Sequence, residues 1–188
     1  MVADFEAFDV KALCDPRPVL EGTPAHHNIR GLQFNVISRA LGEKPERVGF
    51  KLYPMREYNA LCLRAAETLY PRVGLGEALW RVGGFAVKGF SESLPGKTFM
   101  TLAAGHLHTA VRAMPKAYRL TQDCGNVEVI EVSEQRLIVG LRDVWHPVPF
   151  HIGLLEAACA FFGQRGDVSV RQLSLGNLDV CFENLREL

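Results

Sequence analysis

The chain has 188 residues and a mass of 20.9 kDa, the size of one domain with its own core. Apolar residues make up 48% and charged residues 22%, which excludes wholesale disorder. Lys plus Arg and Asp plus Glu each number 21, so the formal net charge is zero; neither nucleic acid, a polybasic membrane contact nor an acidic tail is expected.

No uninterrupted apolar stretch approaches the roughly 18 residues of a membrane span. The longest, 152–163, is broken by Glu156. The first residues carry Asp4 and Glu6 and lack the basic and apolar halves of a secretion signal. Cys14, Cys62, Cys124, Cys159 and Cys181 are scattered, with no CxxC pair, and read as buried small hydrophobes or reduced thiols of a cytoplasmic protein. Residues 1–25 form a leader in which Pro16, Pro18, Gly22 and Pro24 punctuate, with a short helical stretch near 10–14. A helix is predicted over about 28–41, stopped by Gly42. Pro54 suits the first position of a second helix, whose stripe of Met55, Tyr58, Cys62, Ala65 and Leu69 runs to Pro71. Leu75, Leu79, Val82, Ala86 and Phe90 mark a third, weakened by Gly83, Gly84 and Gly89. A fourth carries Met100, Ala103, Leu107, Val111 and Met114 and is expected to stop at Pro115.

The period changes at Gly125. Residues 127–132 and 136–143 are rich in β-branched types and flank Ser133-Glu134-Gln135, a hairpin pattern. A helix with Ile152, Leu155, Cys159 and Phe162 on one face follows, then alternating strands around Val168–Val170 and Leu178–Phe182. The order predicts an α+β domain over 26–188, with an N-terminal helical part (26–120) and a β-β-α-β-β antiparallel sheet part (121–188).

Arg30-Gly31-x-x-Phe34-Asn35, Tyr53-Pro54, Ala65-Ala66-Glu67 with Tyr70-Pro71, Gly96-Lys97-Thr98, Pro115-x-Ala117-Tyr118-Arg119 and Gly153 stand together in this order. The set resembles a domain-of-unknown-function family largely confined to myxobacteria, where it occurs in many paralogous copies; the resemblance covers about 29–184. It implies no activity, although many paralogues suit signalling or regulation. A more distant similarity is to the H-NOX (haem-nitric-oxide-binding) and 4-vinyl-reductase domains, which also place helices before a β-β-α-β-β sheet. H-NOX domains hold haem by one histidine and a Tyr-x-Ser-x-Arg clamp. Counting from Pro115 puts Leu107 at the histidine position, between His106 and His108, and counting back from Gly153 puts Leu141, Asp143 and Trp145 at the clamp. That substitution removes the groups that bind propionates and adds an anion, so the expectation is no cofactor, with haem or a metal held through a histidine kept as an alternative.

Other chemistry is thin. Gly96-Lys97-Thr98 has Ser91 where a phosphate loop needs its first glycine. His106 and His108 diverge by about 200° on a helix and cannot share one ion there. His26-His27 is expected at the surface. Cys124 lacks a recognisable activating context, and no Gly-x-Ser-x-Gly elbow exists. The pattern leaves a pocket between helices and sheet, with His106, Tyr118, Arg119 and His151 as ligand-binding candidates and no catalytic set. The function expected is a non-catalytic cytoplasmic sensor or adaptor domain for a small, mostly apolar ligand. A protein-interaction or homodimer module is the alternative, favoured if Trp80 or Phe85 is exposed. An enzyme would need shifted ionisable groups converging in a cleft.

Overall fold

Helices come first in the chain and a sheet closes it, as the change of period at Gly125 requires. The computed structural model describes residues 4–103 and 105–188. The elements are β1 (Glu6–Ala7), α1 (Arg17–Gly22), β2 (Asn28–Arg30), α2 (Gly31–Ala40), β3 (Leu52–Pro54), α3 (Met55–Leu69), α4 (Leu75–Glu92), α5 (Leu94–Ala103), α6 (Leu107–Thr121), β4 (Asn126–Val132), β5 (Arg136–Arg142), α7 (Val148–Phe161), β6 (Gln164–Ser174) and β7 (Asn177–Glu187). β2 and β3 pair as a small ribbon, and the remaining strands form one antiparallel sheet in the order β1-β6-β7-β5-β4. The α+β class and the β-β-α-β-β order are those read from the sequence.

Strand alternation separates the two faces of the sheet. Leu137, Val139 and Leu141 of β5 and Leu178, Val180 and Phe182 of β7 turn inward, and α6 and α7 cover them with Leu107, Val111, Ile152, Leu155 and Cys159. The outer face is polar but not bare. Asp179 is buried there beneath Arg142 (2.6 Å) and Arg171 (2.6 Å), which come from the strands on either side of β7. Aliphatic stems of arginine cover a sheet as effectively as they carry charge. A second core joins α2, α3 and α4 around Phe34, Ile37, Met55, Tyr58, Leu79 and Val82.

Phe150, on α7, belongs to that helical core, so α7 fastens the two parts together. It does so at a seam with α4 where backbones touch. A Cβ at Gly83 would lie 2.0 Å from the Phe150 carbonyl oxygen, and one at Gly153 would lie 1.8 Å from the Trp80 carbonyl oxygen. Glycine is the one residue that permits such an approach. Gly83 therefore strengthens the packing of α4, whereas its helix propensity alone argued for a weak helix.

Four sequence expectations are corrected. The leader is not merely punctuation: β1 pairs with β6, and α1 starts at the very prolines read as breaks, with Pro18 near its N-terminus, where a missing N–H costs nothing. Pro54 is the N-cap of α3 and the last residue of β3, not the first helical residue. The predicted helix through Met100 and Met114 is two helices, α5 and α6, separated near Gly105, whose φ of 75° is left-handed. Pro115 does not end α6, which continues to Thr121. An internal proline costs a helix about 3 kcal/mol, and α6 offsets this by burying Leu107 and Val111 against the sheet. Gly96-Lys97-Thr98 lies inside α5, with Lys97 and Thr98 exposed.

Candidate functional site

Between the two cores, where α4, α5, α6 and α7 meet the inner face of β5 and β7, the side chains leave a cavity of ≈120 Å³. Its wall is almost wholly apolar: Val87, Phe90, Phe99, Met100, Leu107, Met114 and Leu154 come from helices, Leu137, Val139 and Phe182 from strands. The polar groups in the lining gather from α2, α3, α6, the loop before α7 and the first turn of α7, in Gln33, Tyr58, Tyr118, His146 and His151, with Thr121 and Gln122 at the end of α6.

His151 is fully buried (0% exposed) on the first turn of α7. Its Nδ1 lies 3.5 Å from the Tyr118 hydroxyl, and its Nε2 has no hydrogen-bond partner among the described residues. Gln33 is buried too, and its Oε1 is likewise unpartnered. His146 is better provided for. Its Nδ1 sits 2.6 Å from Asn59 Oδ1, while Asn59 Nδ2 donates to the Trp145 carbonyl at 2.6 Å. The second bond fixes the amide orientation, and since a carbonyl oxygen only accepts, His146 carries its proton on Nδ1. Tyr58 packs edge-on against His146, and the two histidine rings are 5.0 Å apart.

Burial sets the charge state of this pole. It drives His146 down to about 3, and it drives His151 well below the ordinary histidine range, with His146 adding to the effect. The Tyr118 hydroxyl is pushed up by the same loss of water. At neutral pH both imidazoles and the phenol are uncharged. Among the described residues, no lysine or arginine belongs to the lining, and no carboxylate does either.

The structure brings together two of the four candidates, Tyr118 and His151. Arg119 follows Tyr118 by one residue, roughly 100° around α6, and is exposed outside the lining. His106 is the exposed N-cap of α6, because the break near Gly105 starts a new helix there. Leu107 faces inward in its place. Gln33, Asn59 and His146 were not among the candidates. Asn59 and Gln33 had one available signal, a polar residue on the buried side of an apolar helix stripe. His27, expected at the surface, is buried against Asp143, with Nε2 to Oδ2 at 3.2 Å. Cys124 is half-buried, and burial with Asp123 and Asp143 nearby pushes its thiol up to about 12, the reverse of nucleophile activation. Trp80 and Phe85 are partly buried: the Trp80 indole donates to Glu156, and Phe85 packs on the helical core. Among the described residues, no group of three or more His, Cys, Asp and Glu side chains is placed to hold a metal ion. No helix there is long and apolar enough to cross a membrane.

The family described as "Protein of unknown function (DUF2378)" matches residues 25–182, and the chain belongs to it. No curated protein sequence matches. Among solved structures, an H-NOX protein from S. oneidensis in the Fe(II)NO ligation state is similar at a TM-score of 0.62 and 14% identity, over 84% of this chain and 99% of that one. An oxygen-binding H-NOX domain related to soluble guanylate cyclases has a TM-score of 0.57 and 16% identity, over 81% and 91%. An H-NOX domain from Shewanella oneidensis in the Fe(II)CO ligation state has a TM-score of 0.61 and 13% identity, over 82% and 98%. The fold is therefore H-NOX-like.

Haem does not fit the residues present. Apolar Leu107 lines the cavity at the α6 position where the resemblance calls for a histidine, and His106 and His108 are outside the lining; the imidazoles that do line it, His146 and His151, come from the loop before α7 and its first turn. With no lysine or arginine in the wall, two propionates would be left without counter-charge. At ≈120 Å³ the cavity is also below the roughly 300 Å³ at which pockets for drug-sized ligands begin, and a porphyrin is larger still.

Proposed function

We propose that this member of the DUF2378 family is a non-catalytic sensor or adaptor domain. It holds one small, mostly apolar molecule in the cavity between helices and sheet and acts in signalling or regulation in the cytoplasm. The observation that carries this reading is His151: a fully buried imidazole on the cavity wall with a nitrogen that no group among the described residues satisfies. Leaving such a group unpaired costs about 1–3 kcal/mol, and a guest that pairs with it recovers that cost. The cavity lies where α4, α6 and α7 converge, so occupancy bears on the packing of both halves of the domain.

Native mass spectrometry of protein purified from its source, with a matched denaturing run, tests this reading. A stoichiometric small molecule lost on denaturation is expected. A ligand-free dimer at low micromolar concentration would overturn it in favour of a protein-interaction or homodimer module. What favours that second reading is α5, which exposes Leu94 (81%) and Leu102 (74%).

A further inference from the structure

The cavity's size, its wall and its two unpartnered polar atoms define a chemical class of guest. An apolar cavity of about 150 Å³ takes benzene, and this one is slightly smaller, so the guest has the bulk of a single six-membered ring. The wall carries no fixed charge, so a carboxylate or an ammonium entering it would lose its hydration with nothing in return. The guest is neutral.

The polar pole narrows the class further. A phenol O–H is the better donor and an imidazole nitrogen the better acceptor, so across the 3.5 Å contact Tyr118 donates to His151 Nδ1. Neutral His151 then holds its own proton on Nε2, the atom without a partner. Gln33 contributes the opposite need, an unpartnered carbonyl oxygen. Both atoms are buried on side chains of the lining, and one asks for an acceptor while the other asks for a donor. A hydroxyl is the smallest group that does both.

Building on the sensor reading above, we infer that the cavity selects a neutral, single-ring hydroxyl compound, a phenol or cyclic alcohol. Its ring lies among Phe90, Met114 and Leu154, and its hydroxyl accepts from His151 Nε2–H and donates to Gln33 Oε1.

Calorimetric titration of the full chain with phenol, cyclohexanol, benzene and benzoate tests this, together with long-range ¹H–¹⁵N correlation of the histidine side chains. Phenol or cyclohexanol should bind roughly tenfold more tightly than benzene, the worth of one or two good hydrogen bonds, and benzoate should not bind. His151→Leu and Gln33→Leu should each remove most of that preference while benzene binding persists. The His151 nitrogens should report an Nε2-protonated ring whose Nε2 shift moves on adding phenol, a measurement made on the unaltered protein. Equal binding of benzene and phenol, or a His151 Nε2 shift indifferent to phenol, would overturn the hydroxyl inference and leave the cavity reading standing. Binding of none of the four would overturn both.

Discussion

The seam between α4 and α7 makes adjacent residues respond to the same substitution with opposite signs. Alanine is about 1 kcal/mol better than glycine inside a helix, so Gly83→Ala, Gly84→Ala and Gly153→Ala all gain on intrinsic grounds. At Gly84 the new methyl meets only the Ala157 Cβ at 3.7 Å, an ordinary contact, and the gain is kept. At Gly83 and Gly153 the methyl would lie 2.0 Å and 1.8 Å from carbonyl oxygens of the facing helix. These are backbone atoms and cannot rotate away. The helices would have to part by about 1.5 Å, and overpacking of this kind costs about 3 kcal/mol after the propensity gain is credited. For a chain of this size each kcal/mol shifts Tm by roughly 2–4 °C. Gly153→Ala and Gly83→Ala should therefore melt roughly 6–12 °C below the parent and Gly84→Ala a few degrees above it, by calorimetry or circular dichroism. The double variant Gly83→Ala/Gly153→Ala should lose less than the sum, because one separation relieves both clashes. If Gly83→Ala and Gly84→Ala melt together, the close backbone approach is not what holds these helices.

Acid should weaken the domain between pH 7 and 5. His146 and His151 stay neutral in the fold, whereas in the unfolded chain they take up protons below pH 6.5, so stability falls by about 1.4 kcal/mol per pH unit for each. Urea midpoints at the two pH values measure this, and His151→Phe should shallow the slope; a midpoint that does not move would contradict it. Asp179→Ala removes the shared partner of Arg142 and Arg171 from a buried position and should cost about 3 kcal/mol in urea denaturation. Ala110→Leu, directed into the cavity, should stabilise by about 1 kcal/mol and abolish benzene binding; undiminished binding would place the guest elsewhere. Haemin added to the purified protein should give no stoichiometric Soret band, and a saturable one would reverse the argument from Leu107.

The sheet was legible because its code is local. Leu137-x-Val139-x-Leu141 and Leu178-x-Val180-x-Phe182 alternate without interruption, and the structure turns all six inward. Helix ends were less legible where tertiary burial overrides a local breaker: Pro115 is carried through by the packed face of α6, whereas Gly105, a single residue with positive φ, accompanies a break that periodicity spans. At the site, Pro-x-Ala-Tyr-Arg drew attention to Tyr118 and Arg119 alike, but helical geometry turns consecutive residues apart and only the tyrosine reaches the cavity. His106 was misplaced by the unforeseen break beside it. Gln33, Asn59 and His146 converge from segments far apart in the chain, and a void has no sequence signature: it is what several elements together fail to fill.

Asn59 reaches 86 and 87 positions along the chain, holding the Trp145 carbonyl with one end of its amide and His146 with the other. Contacts of that span close late in folding, because the chain entropy they cost is recovered only once both regions are in place. The helical stretch can acquire its local structure as it emerges, but the polar pole of the cavity exists only after α7 has docked. A truncation at residue 120 would keep Gln33, Tyr58, Asn59 and Tyr118 while removing both histidines and the strands beneath them. The polar pole of the cavity is thus a late product of folding, and neither half of the chain can form it alone.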